Sequence, residues 1–209
     1  MALFSIPEEP NAADALNSVL AAISMQQQID SFNKDNKMAE EKRLRIGIGI
    51  HSGPVIIGTV GSEERMESTV TGDTVNLASR LEGLTKFYRS KILISQSTYE
   101  FIDSESSFEF RELDLVKVKG KDKPVTIFEV CNSDPELIRE QKLGSRKKFA
   151  EALKDYRSQK WTAAMTKFKN CLKECPDDGA AELHLERCKS FKKTPPPKDW
   201  KGEQVFTQK

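Results

Sequence analysis

A mixed α+β fold is what this sequence predicts, and three observations carry that expectation. From Leu44 the pattern has period two: Leu44, Ile46, Ile48 and Ile50 alternate with Arg45, Gly47, Gly49 and His51, a strand with one face in a core. Between Asp73 and Lys86 the residues Val75, Leu77, Ala78, Leu81 and Leu84 recur at helical spacing. Strand-like and helix-like segments are joined by short turns rather than by strict strand–helix alternation, which is the α+β pattern.

Along the chain, Pro10 to about Asn33 reads as a helix with Ala13, Leu16, Val19, Leu20, Ile23 and Met25 near one face and Asn11 as its cap. Lys34 to Lys42 is a polar loop. The Leu44–His51 strand turns through Ser52-Gly53-Pro54 into a second apolar run, Val55–Val60, so the pair is expected to form a β-hairpin. After the helix at Asp73, with Asp73 as its expected cap, Lys91–Ser95 is a short strand and Gln96–Ile102 a helical turn. Phe108–Val118 is a longer strand, and Val125–Val130, after the turn at Gly120–Pro124, is the last one. A break falls near Asn132-Ser133-Asp134-Pro135, and from Ile138 to about Lys193 the pattern is helical throughout. Residues 194–209 contain three consecutive prolines, Pro195–Pro197, and then Trp200, Val205 and Phe206, a tail expected to be extended and docked by its apolar residues.

Composition excludes several classes. The 209 residues are 37% hydrophobic and 31% charged, a globular balance and too apolar for wholesale disorder. No stretch approaches the roughly 18 apolar residues of a membrane span, and the start lacks the basic and apolar regions of a signal peptide. A cytoplasmic location is the expectation, with a membrane tether through segments of a longer protein left open. The net charge of +1 conceals an asymmetry: residues 138–209 hold 18 Lys/Arg against 10 Asp/Glu, and the rest hold 15 against 22. Two modules of opposite charge should attract one another. The basic half reads as a solvated helical face rather than a nucleic-acid surface. Cys131, Cys171, Cys175 and Cys188 show no paired CxxC spacing, which points to reduced structural thiols.

The chemistry is concentrated in three runs: Arg45-Ile-Gly-Ile-Gly-Ile-His-Ser-Gly-Pro-Val55, Gly58-Thr-Val-Gly-Ser62, and Thr69-Val-Thr-Gly-Asp-Thr-Val-Asn-Leu-Ala-Ser-Arg80. In the third, Asn76 and Arg80 are four apart and share a helical face. An amide beside a guanidinium suits a ribose oxygen and a phosphate, because the arginine fork meets a phosphate in two places. The same pair fits a plain surface helix with a capped start, and geometry alone leaves both readings open.

These runs, with Val118-Lys119-Gly120-Lys121 after them, closely resemble the catalytic domain of class III adenylate/guanylate cyclases over about residues 1–131. The resemblance implies a ferredoxin-like core, here partial, in which Asn76 orients the ribose and Arg80 contacts the α-phosphate under attack by the 3′-hydroxyl. Lys119 falls where the family places a lysine on the terminal phosphates, with Lys121 close by. Thr69 falls where the purine edge is read and favours ATP over GTP. The family site lies between two head-to-tail domains, which implies a homodimer. The family also binds two Mg²⁺ or Mn²⁺ ions through two aspartates. Met1–Pro7 resembles the stretch that follows the second of them, so both would lie upstream of Met1, and this chain holds no ligands for the ions. Asp14 and Asp30 belong to the first helix and are not substitutes. The chain is therefore expected to be the C-terminal part of a longer cyclase or a degenerate copy, inactive alone. The alternative is a non-catalytic nucleotide-binding or dimerising regulatory module with a protein-interaction tail.

The remaining candidates read as structural. His51 belongs to a turn, His184 to a helix without a ligand cluster, and Cys171 and Cys175 to a packed helical face. Gly58-Thr-Val-Gly61 lacks the lysine of a phosphate loop. After a linker over 132–144, residues 145–193 suggest three helices (Ser145–Gln159, Trp161–Cys175 and Gly179–Phe191). Ala164, Phe168, Cys171 and Pro176 match the spacing of a tetratricopeptide repeat, with Tyr156 and Trp161 packed between the first two helices. One such unit cannot bury its own apolar face, so it must dock on the first module, a second chain or the 194–209 tail, or serve a protein partner.

Overall fold

The backbone of Ile92–Ser95 is buried on both faces, as a strand is in the middle of a sheet covered on both sides. The computed structural model describes residues 1–4, 12–62, 65–102, 107–118 and 123–206. In chain order they form α1 (Ala12–Asp35), β1 (Ile48–Ile50), β2 (Ile56–Ser62), β3 (Arg65–Thr71), α2 (Asp73–Tyr88), β4 (Ile92–Ser95), α3 (Gln96–Phe101), β5 (Phe110–Val118), β6 (Val125–Val130), α4 (Glu136–Arg157), α5 (Trp161–Glu174), α6 (Gly179–Lys193) and β7 (Gln204–Phe206). The main sheet has the order β1-β4-β6-β5-β7, with β1 parallel to β4, β7 parallel to β5, and antiparallel neighbours between. The α+β class expected from the sequence is the one observed.

Alternation within the strands sorts the layers. Ile92, Ile94 and Val130 face Ala15, Val19 and Ala22 of α1, and Tyr99 of α3 stacks on Phe128 at 4.3 Å. On the opposite face Leu93, Ile127, Leu113 and Val116 share one core with Leu77, Leu81, Leu84 and Tyr88 of α2 and with α4, α5 and α6. The C-terminal helices therefore bury their apolar faces on the sheet and on α2. The charge asymmetry appears at this contact: Arg157 and Arg187 of the basic half pair with Glu112 and Asp114 of β5, and Lys142 with Glu129 of β6.

The structure corrects the expected hairpin. The Leu44–His51 segment narrows to β1, which pairs in parallel with β4 through Ile48↔Ile92 and Ile50↔Ile94. The hairpin is instead β2 with β3, in register Gly58↔Thr69 and Ile56↔Thr71. Arg65-Met-Glu-Ser-Thr-Val-Thr71 is too polar to announce a strand, and the fully buried β4 is the better partner for β1 because it is covered on both sides. The Asn11 cap lies outside the described residues. Asp73 is the first helical residue of α2 rather than its cap, which is Gly72. The first C-terminal helix begins at Glu136, nine residues ahead of its expected start at Ser145.

The tail is extended and docked. Trp200 packs within 5.3–5.8 Å of the rings of Tyr156, Trp161 and Phe191, Gln204 Nε2 donates to Tyr156 Oη at 2.9 Å, and β7 then continues the sheet. No helix among the described residues is long and apolar enough to cross a membrane.

Candidate active site

Two local devices place α2. A Cβ at Gly49 would lie 2.2 Å from the Glu82 nitrogen and 2.4 Å from the Ala78 carbonyl oxygen, so glycine on β1 is what lets the helix lie against the strand. Gly72, at φ +136°, takes the backbone from β3 into the helix by a path that L side chains rarely adopt. Thr74 Oγ1 then donates to the Pro54 carbonyl at 2.6 Å and pins the first turn.

With Leu77, Leu81, Leu84, Thr85 and Tyr88 facing the core, α2 presents Asn76, exposed, and Arg80, half-buried, on an adjoining face. Their four-residue spacing puts them one turn apart. Thr69, half-buried on β3, precedes Gly72 by three residues on the strand that feeds the helix. Lys119, like Lys121, lies outside the described residues, directly after the end of β5. Asn76 and Arg80 are thus together on one helix face, and Thr69 is on the strand leading into it.

At the carboxyl ends of β1 and β4, His51 Nδ1 lies 2.8 Å from Ser95 Oγ and 3.0 Å from Ser97 Oγ, and Ser97 Oγ donates to the Ser52 carbonyl. This cluster ties the Ser52–Pro54 turn to α3.

Two buried polar networks were not legible in the sequence. In one, Tyr88 Oη and Arg187 Nη1 both donate to Asp114 Oδ2. His184 Nε2 donates to the Leu113 carbonyl at 2.9 Å, and burial holds its imidazole down at about 4. In the other, Arg111 donates to Glu129 and in a fork to Asp178, and its guanidinium lies 4.3 Å over the Phe149 ring. Burial alone would raise the Glu129 and Asp178 carboxyls, but the cations beside them hold both below their ordinary value. The available signal was a charged residue at a core-facing strand position, as at Arg111, Asp114 and Glu129.

The donors of Glu129, Cys131 and Asp134 lie within 4.8 Å of one another, as a metal centre requires. Lys142 Nζ occupies that role, donating to Glu129 Oε2 at 3.1 Å and Asp134 Oδ2 at 2.7 Å. Burial pushes the Cys131 thiol far from its thiolate form. Hard divalent ions prefer oxygen ligands. These three residues therefore do not fit Mg²⁺ or Mn²⁺.

Comparison with known proteins places the likeness where these elements are. The family described as adenylate and guanylate cyclase catalytic domain matches residues 1–130. An adenylate cyclase of Anabaena cylindrica is 48% identical over 135 residues, which cover 62% of this chain and 26% of that protein. The terminal-differentiation-specific adenylate cyclase of Dictyostelium discoideum is 36% identical over 189 residues, covering 90% of this chain and 9% of that protein. The chain thus spans about a quarter or less of the length of these two relatives. Among solved structures, the adenylyl cyclase CyaB from P. aeruginosa aligns at a TM-score of 0.52 and 32% identity, covering 61% of this chain and 64% of that one. A guanylyl cyclase aligns at 0.50 with 32% identity, covering 61% of this chain and 62% of that one.

Proposed function

The chain belongs to the adenylate and guanylate cyclase catalytic domain family, and from that premise we propose that it contributes to the catalytic domain of a nucleotidyl cyclase that converts ATP to 3′,5′-cyclic AMP and pyrophosphate. One observation carries the reading: Asn76, exposed, and Arg80, half-buried, stand one turn apart on the face of α2 that adjoins its core-facing side. Asn76 orients the ribose. Arg80 meets the α-phosphate with its fork as the 3′-oxygen bonds to phosphorus, the bond to the pyrophosphate oxygen breaks and the hydroxyl proton leaves. Charge that builds on the equatorial oxygens is where a fixed guanidinium is most effective. Thr69 reads the purine edge and Lys119 holds the terminal phosphates. ATP is favoured over GTP by Thr69 and by relatives that are named adenylate cyclases.

The catalytic partner in this reading is a second copy. Supporting it, Ile56 and Ile57 are 71% and 58% exposed on a two-stranded hairpin that is not part of the main sheet, and such a hairpin is marginal without a surface to rest on. Cyclases of this family use Mg²⁺ or Mn²⁺. The family resemblance matches neither of the two aspartates it assigns to the ions to a residue of this chain, and on that reading the chain by itself turns over ATP little or not at all. That same observation favours a second reading, a non-catalytic nucleotide-binding or dimerising module. The helical extension, tetratricopeptide-like in spacing, serves packing in either case: its faces share a core with α2, and the tail covers Trp161 and Phe191. Four buried free cysteines agree with a cytoplasmic setting.

The test is cyclic AMP formation from Mn-ATP by the full-length protein and its Arg80→Ala variant. A loss of about 10²–10³-fold in kcat is expected from removing one such group. Turnover unaffected by the substitution removes Arg80 from the catalytic list, and no turnover in the wild type selects the regulatory reading.

A further inference from the structure

Phe206 is the last residue of β7, and its register partner on β5 is Val118, the residue immediately ahead of Lys119. Its ring lies 5.5 Å from that of Phe87 and 6.5 Å from that of Tyr88, in the last turn of α2. Asn76, Arg80, Gly83 and Phe87 succeed one another in steps of four, three and four, which keeps them in one row along the helix. Phe206 therefore touches α2 at the far end of the row that carries Asn76 and Arg80, while its backbone lengthens the sheet beside the strand that leads to Lys119.

The rest of the extension grips the same turn. The Arg187 guanidinium carbon lies 5.5 Å from the Tyr88 ring and 5.8 Å from the Phe206 ring while Nη1 bonds Asp114 of β5. Arg89, which ends α2, pairs with Glu182 of α6 at 2.7 Å and packs on Gly179, where a Cβ would come within 2.5 Å of Arg89 Cβ. Phe87, Tyr88 and Arg89 are thus each held by a residue beyond position 178. The Dictyostelium likeness, 189 residues long, also runs well past the 130 residues of the family match.

We propose that Phe206 is a positioning residue of the catalytic unit. It wedges against the end of α2 while its strand extends β5, and so sets the helix that carries Arg80 relative to the sheet. The extension is then a brace of the catalytic helix and not a separate module appended to it. The kinetic half of this inference rests on the role given above to Arg80; the mechanical half does not.

Two measurements on Phe206→Ala, with Phe206→Tyr as the conservative variant, test it. Hydrogen exchange in the 209-residue chain should quicken by about tenfold across the amides of Thr74–Leu84, with β4 unchanged as the control for global folding and Phe206→Tyr close to wild type. In a full-length cyclase that turns over, kcat should fall about tenfold while KM for ATP stays within about twofold, the signature of a misplaced transition-state contact. Faster exchange confined to β7 and the residues just before it overturns the proposal. So does an unchanged kcat in a protein that Arg80→Ala inactivates. If Arg80→Ala has no effect, the catalytic reading fails by itself, and exchange in α2 still decides whether the brace exists.

Discussion

Tyr88 and Arg187 converge on one oxygen: Tyr88 Oη and Arg187 Nη1 each lie 2.6 Å from Asp114 Oδ2, a carboxylate with no exposed surface. The tyrosine comes from α2, the arginine from α6 and the aspartate from β5, so three layers of the fold meet at a single charge. A β-bulge brings this about. The register of β5 on β6 slips between Glu112 and Asp114, and the extra residue returns Asp114 to the side of the sheet that Arg111 faces.

Removing Arg187 leaves that carboxylate buried with only neutral donors. Arg187→Met should cost about 3–5 kcal/mol, the range for breaking one side of a buried pair. Tyr88→Phe should cost about 1.5–3 kcal/mol, the worth of a hydrogen bond to a charged group. Urea unfolding of the single variants and of Arg187→Met/Asp114→Asn checks this. The double variant should lose clearly less than the sum of its parts, because neither charge is then stranded.

His184 gives stability a pH dependence of known sign. Burial depresses its folded pKa to about 4 from the ordinary 6.5, against the pull of Asp114 and with the push of Arg187 and Arg157. As pH falls through 6.5 the unfolded chain takes up a proton that the folded chain refuses, so stability drops until about pH 4, below which both states are protonated. The full swing is about 3 kcal/mol. His184→Gln can keep a donor for the Leu113 carbonyl but takes up no proton. Its unfolding free energy should be flatter than wild type between these limits, as urea titrations at several pH values would show.

How much of this was legible depended on how far apart the interacting residues are. Val125–Val130 and the start of the helix at Trp161 appear where the pattern put them, since each needs only neighbours in sequence. Asn76 and Arg80 share a face because four residues make a turn of any α-helix. The polar composition of β3 hides it, and the partner of β1 is not legible in its neighbourhood because pairing is decided by distant strands. Arg111 finds Asp178 across 67 residues, and Phe87 meets Phe206 across more than a hundred, so no local window contains the clamp on α2.

Gly49→Ala tests the helix–strand approach. The new methyl would overlap the Glu82 nitrogen at 2.2 Å, and both contacts are backbone, so neither can swing aside. The helix must shift. Overpacking of this kind costs about 1–3 kcal/mol, occasionally more. Because α2 carries Asn76 and Arg80, cyclase turnover in the full-length protein should fall further than the stability loss accounts for, measured as kcat at a temperature where the variant is fully folded.

Arg111 decides whether the sheet and the C-terminal helices unfold together. Its Nη1 and Nη2 bond Asp178 at 2.5 and 2.8 Å while its Nε bonds Glu129, and Asp178 Oδ1 also accepts from Ala181 N to cap α6. Arg111→Met therefore strands the Asp178 carboxylate, leaves Glu129 with Lys142 as its remaining cation, and loosens the cap. The loss should exceed the 3–5 kcal/mol or so of a simple buried pair. Trp161 and Trp200 both sit among the C-terminal aromatics, so their fluorescence follows that half, whereas far-UV circular dichroism follows the whole chain. In the wild type the two urea transitions should coincide, as they do for one cooperative unit. In Arg111→Met the fluorescence transition should come at lower urea than the dichroism transition. Coincident curves in the variant would mean that the apolar core around Phe149 and Leu113 couples the two halves without help from the ion pairs.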